Sequence, residues 1–175
     1  SRISLSNNDA GGVADGTGTS GNTLLGYTAG TSLDAGSFFN TFIGHRVSDA
    51  TMDNALGNIG VGAEALGALT SGDYNVAIGY NALLGITTGA DNIAIGYGAL
   101  DAVVDTEHDN IAIGTNSMGA VDQGTHADSR NDRNIAIGTS ALFGGTFGSV
   151  HKDLDDNVAI GYNAMDGTGT LSAAD

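Results

Sequence analysis

Aliphatic and small residues alternate over short stretches of this chain, and the stretches return at near-constant intervals. In Asn92-Ile93-Ala94-Ile95-Gly96 the two isoleucines fall on one side of an extended strand and Ala94 on the other. The general pentad is Asn, then Ile, Val or Thr, then a variable and usually small residue, then an aliphatic residue, then Gly. It begins at Asn22, Asn40, Asn58, Asn75, Asn92, Asn110, Asn134 and Asn157, with intervals of 18, 18, 17, 17, 18, 24 and 23 residues. A weaker element follows each copy, for example Tyr80-Asn81-Ala82-Leu83 and Tyr97-Gly98-Ala99-Leu100. It reads as a second short strand, a small residue followed by a large apolar one.

Two short strands and two turns fit a period of 17 or 18 residues, whereas paired helices need more than about 30 residues per repeat. Glycine at this density would also cost a helix about 1 kcal/mol per interior position. The predicted fold is therefore all-β, a parallel β-solenoid of about eight coils. Stacked at about 4.8 Å, eight coils make a rod on the order of 40 Å long. Residues 1–21 read as a strand from Arg2 to Leu5 and a glycine-rich lead. Residues 22–166 form the repeat domain, and residues 167–175 a partial coil.

The repeated residue types suggest their own duties. The aliphatic pair is expected inside, stacked from coil to coil. The eight asparagines are expected to form an amide ladder. The closing Gly should adopt a conformation that side chains forbid, or admit a close backbone neighbour. The opposite strand face then carries Ala77, Ala94, Ala112, Ala136 and Ala159, with Gly60 in the third coil. That stripe of small residues, if outward, suits close packing of identical chains about an axis, and a homotrimer is expected through it.

Composition narrows the functional classes. Twenty acidic residues against five basic ones give a formal net charge of −15, which repels nucleic-acid phosphates and anionic membrane faces. The absence of cysteine excludes disulfides and thiolate metal sites. No apolar run is long enough to cross a bilayer as a helix, and Ser1-Arg2-Ile3-Ser4-Leu5 does not read as a signal peptide. No nucleic-acid partner and no membrane insertion are expected.

The NVAIG and NIAIG segments, followed by Tyr-Asn-Ala-Leu or similar, resemble the head repeats of trimeric autotransporter adhesins of the YadA type. They are also similar to repeat arrays in tail-fibre and other structural proteins of bacteriophages. The resemblance covers residues 22 to about 166. It implies a left-handed β-roll, trimeric assembly, and work in surface adhesion or as a fibre shaft. Adhesin head coils are shorter than the 17–18 residues found here, and no coiled-coil heptads of a neck or stalk are present. Both differences favour a phage tail fibre or virion-surface spike over a bacterial adhesin head. The location implied is extracellular, on a virion or a bacterial cell. The partners implied are a host-surface receptor or glycan and other fibre or virion proteins.

Two connections, 119–133 and 143–156, carry about six extra residues each. Insertions in repeat proteins emerge on one face and often bind. His126, Arg130, Arg133, Phe147, His151 and Lys152 are the receptor-contact candidates. The bland alternatives are solvent loops or braces on a neighbouring subunit. Tyr27, Tyr80, Tyr97 and Tyr162 share one repeat position, where rings either stack on each other or meet sugars.

The acidic groups Asp101, Asp105, Glu107, Asp109 and Asp153, Asp155, Asp156 carry the oxygen ligands calcium takes, yet neither follows an EF-hand loop. A solvated acidic face and no cofactor are expected, with calcium as the alternative. His45, His108, His126 and His151 lack paired metal-ligand spacing, so no metal site is expected.

No catalytic residues are expected. A hexapeptide-repeat acyltransferase shares the period, but its three-faced pattern fails here and no histidine is placed as a general base. An ice-binding face would need rows of Thr-x-Thr, which occurs only at Thr17–Thr19 and Thr168–Thr170. End-to-end polymerisation into a filament is the remaining structural alternative, because solenoid ends are open strand edges.

Overall fold

A computed structural model describes residues 21–34, 36–102, 107–120, 131–144 and 154–166. Eight three-residue strands follow one another: β1 (Thr23–Leu25), β2 (Thr41–Ile43), β3 (Ile59–Val61), β4 (Val76–Ile78), β5 (Ile93–Ile95), β6 (Ile111–Ile113), β7 (Ile135–Ile137) and β8 (Val158–Ile160). They form one parallel sheet in sequence order. Consecutive parallel neighbours require the chain to go once around between strands, so each strand is one rung of a β-solenoid. The register never slips: Ala77 pairs Ala94, Ala94 pairs Ala112, and Ala112 pairs Ala136.

Each strand begins after a ladder asparagine and ends at a glycine. Those glycines, from Gly26 to Gly161, have φ between +129° and +143°. A Cβ on Gly96 would overlap the carbonyl oxygen of Gly114, the matching residue one rung on. Both expected reasons for glycine thus hold at one position: a backbone region closed to side chains and a neighbouring backbone in contact.

The second element is not a strand. Residues 80–85 are turns, and Asn81 and Leu83 have φ of 57° and 52°. Matching left-handed residues recur at Asn116 and Met118, and at Ser140 and Leu142. A third such column precedes the ladder asparagine, at Tyr74, Asp91, Asp109, Arg133 and Asp156. Rungs still bond through these corners, since the Leu83 amide donates to the Ala99 carbonyl at 3.0 Å and the Asn81 amide to Ala63 at 3.1 Å. Left-handed corners bend a short coil sharply while keeping its amides directed at the neighbouring rungs. They also let adjacent residues such as Ala82 and Leu83 both point inward, which a strand forbids.

The strand faces are the reverse of the sequence expectation. Ala77, Ala94, Ala112 and Ala136 are fully buried inside their own chain and Ala159 nearly so. The isoleucines and valines that flank them point outward and are half-buried or exposed. The alanine stripe therefore offers no surface to a partner. The physical reason is width. Leu66, Leu83, Leu100, Met118 and Leu142 fill the coil from the turn side, with Met52, Leu69 and Ile86 adding to it. Across from them there is room for a methyl group and little more. Where a large residue does point inward, its neighbour shrinks: Phe42 is fully buried, and Gly60 beside it would press a Cβ against Val47 and Phe42.

Candidate functional site

The asparagine ladder runs through the whole rod. The Asn92 backbone amide and side-chain Nδ2 both donate to Asn75 Oδ1, each at 3.1 Å. Its Nδ2 also donates to the Glu107 carbonyl at 2.7 Å, and its own Oδ1 accepts the Asn110 amide and Nδ2 at 3.0 and 3.1 Å. Two donors and two acceptor positions are thus all filled, as a buried amide requires. The pattern repeats from Asn22 through Asn40, Asn58, Asn75, Asn92, Asn110 and Asn134 to Asn157. All except the half-buried Asn157 are buried. This ladder is structural and presents nothing to a ligand.

What faces outward is the other side of the sheet. Two columns of β-branched side chains run along it, Ile59, Val76, Ile93, Ile111, Ile135 and Val158 in one and Val61, Ile78, Ile95, Ile113, Ile137 and Ile160 in the other. Ile59 is 39% exposed, Ile78 38% and Ile160 65%. A continuous aliphatic strip this long on one flat face is unusual for an isolated soluble chain.

Tyrosines border the strip. Tyr80 and Tyr97 stack with centroids 5.4 Å apart, and Tyr27 stacks on His45 at 5.3 Å. The facing ring surfaces of each pair cover one another, so these pairs are ladders, as rings in register favour. Along the opposite border the Phe39 ring lies over Gly21 and the Tyr74 ring over Gly57.

Of the receptor-contact candidates, only Arg133 falls within the described residues; His126, Arg130, Phe147, His151 and Lys152 lie outside them. Arg133 clasps the next rung. Its Nε bonds Asp156 Oδ1 at 2.7 Å, and one Nη bonds Asp155 and Asp156 at 3.1 and 3.2 Å. Asp156 holds the guanidinium well above its ordinary value, and the Asp156 carboxyl is lowered in return. Arg46 bonds Asp49 at 2.8 Å and reaches Glu64 at 3.4 Å, which raises it similarly.

The acidic groups divide rather than converge. Glu107 is buried and Asp109 exposed, while Asp155 and Asp156 are turned to Arg133. Burial pushes the Asp101 carboxyl up, against two backbone hydrogen bonds. Asp105 and Asp153 lie outside the described residues. Among the described residues no group of three or more histidines and carboxylates could hold a metal ion.

One feature escaped the sequence reading. At the position two before four of the ladder asparagines, a polar side chain accepts a backbone N–H of the preceding rung. Asp73 takes Leu56, His108 takes Ala90, Asp132 takes His108 and Asp155 takes Asp132. The signal was available as a polar residue recurring at one offset, although aromatic and aliphatic residues fill that column in the early rungs.

The fold defines the class as a parallel β-solenoid with one aliphatic outer face. Comparison with protein-family models, curated proteins and solved structures gave no match. No helix among the described residues is long and apolar enough to cross a membrane.

Proposed function

We propose that this chain is a structural and adhesive fibre segment that works as a homotrimer, with three outer aliphatic faces turned to a common axis. The observation that carries the reading is the double column from Ile59 to Ile160, flat, in register and half-exposed in the single chain. Burying it would remove water from about two side chains per rung over six rungs, each worth on the order of 1 kcal/mol when half-exposed. The axis then passes along the isoleucine face, and the alanine columns stay in each chain's own core.

Repeated short rungs, the one architecture among the described residues, suit a shaft that holds binding loops away from a surface. The setting that fits is a phage tail fibre or virion-surface spike attaching to a host receptor or glycan. A bacterial adhesin head would use the same arrangement. The connections 119–133 and 143–156 are the places to look for receptor contact.

Solution mass by light scattering tests the assembly. The reading expects three times the 17.4 kDa chain mass, and a monomer at micromolar concentration sinks it. The alternative is end-to-end stacking into a filament through open strand edges. Electron microscopy separates long filaments from discrete rods.

A further inference from the structure

Four side chains in one column hold the amide of the rung before them, and one of the four is unlike the others. Asp73 Oδ1 accepts Leu56 N–H at 2.8 Å, Asp132 Oδ1 accepts His108 N–H at 2.9 Å, and Asp155 Oδ1 accepts Asp132 N–H at 2.9 Å. In the fourth, His108 Nδ1 accepts Ala90 N–H at 3.1 Å. A carboxylate remains an acceptor down to about pH 4. An imidazole nitrogen accepts only while the ring is neutral; once protonated, both nitrogens are donors.

We propose that His108 is a proton-sensitive latch between the fifth and sixth rungs, closed when its ring is neutral and open when it is charged. The closed state requires the tautomer with hydrogen on Nε2, leaving Nδ1 to face Ala90. Protonation places N–H against N–H at a half-buried corner, and the ring must turn away. The rest of the rung stays paired. The Asp109 amide still donates to the Ala90 carbonyl at 3.2 Å, and the asparagine ladder passes beside it unchanged. The ionisable side chains on the three rungs at this corner are Asp91, Glu107, Asp109, Asp132 and Arg133. Opening is local, confined to the corner where the fifth and sixth rungs meet. The inference stands on this geometry alone and does not depend on trimer or fibre.

Residue-resolved amide hydrogen exchange on the full chain tests it, at about pH 7.5 and about pH 5.5, which bracket imidazole titration. After correction for intrinsic rates, Ala90 protection should fall roughly five- to tenfold on acidification, the loss expected for one hydrogen bond. The Leu56, His108 and Asp132 amides, held by carboxylates, should keep theirs and serve as controls in the same sample. His108→Asp copies the neighbouring residues and should abolish the pH dependence at Ala90. Equal Ala90 protection at both pH values, or an equal fall in the His108→Asp variant, overturns the proposal. So does a side-chain nitrogen spectrum showing the neutral ring with its hydrogen on Nδ1, a measurement that needs no variant.

Discussion

The two faces of each strand are built from the same alternation and do opposite things. Inside, alanines from five rungs stack in a fully enclosed column, sized by the leucines and methionines across the coil. Outside, larger aliphatics stack just as regularly with much of their surface in water. The inner face has no spare volume and the outer face has no cover. Inner substitutions should therefore act on the fold of one chain, and outer ones on what the chain assembles with.

The largest effect should come from removing the condition on which both faces rest. Gly96→Ala aims a methyl group at the Gly114 carbonyl and also strains a φ of 138°, so the central rungs should not pair and the circular dichroism of the rod should be lost. Gly161→Ala carries similar strain but, among the described residues, meets only the Ala164 Cβ at 3.9 Å, and should stay folded with a lower melting point.

Next, Ala94→Leu forces three extra carbons into the closed column and should destabilise by about 3 kcal/mol or more in denaturant titration. Of similar or slightly smaller size is Asn92→Ala, which leaves the Glu107 carbonyl and the Asn110 amide and Nδ2 without the partners Asn92 gave them. Each such buried loss costs about 1–3 kcal/mol. Asn157→Ala, half-buried in the last rung, should cost less.

The outer face should separate stability from assembly. Ile95→Thr with Ile113→Thr keeps β-branching and should change single-chain stability by about 1 kcal/mol or less, while light scattering reports a shift from trimer to monomer. If instead the pair unfolds the chain and leaves its oligomeric state intact, the division between the faces is wrong. Smallest of all is Arg133→Gln. The guanidinium is half in solvent, and exposed ion pairs contribute little, so only the salt dependence of melting should register it.

The ladder was legible in the sequence because asparagine and glycine are the residues whose chemistry leaves least choice. A buried amide needs four filled positions, and the glycines need a φ that others avoid. Which face is interior was not legible. Alternation fixes that Ile93 and Ile95 share a side, but the side is decided by coil width, and that width is set by corners such as Asn81-Ala82-Leu83. Those corners read as a strand in sequence because leucine rarely adopts a positive φ, and nothing in the composition announces that Leu83 and Leu100 do. The contribution of Asp132 and Asp155 was hidden for another reason. Acidic residues between repeats look like solvated loop, and only the register shows them reaching back one rung.

The spacing of the ladder has an engineering consequence. Asn110 and Asn134 are 24 residues apart and Asn75 and Asn92 only 17, yet the amide-to-amide bond is 3.1 Å in both cases. Axial pitch is thus decoupled from contour length. Extra sequence between two rungs leaves the spine undisturbed. Such a rod can exchange the peptides it displays, in length as well as content, without retuning the rack that carries them.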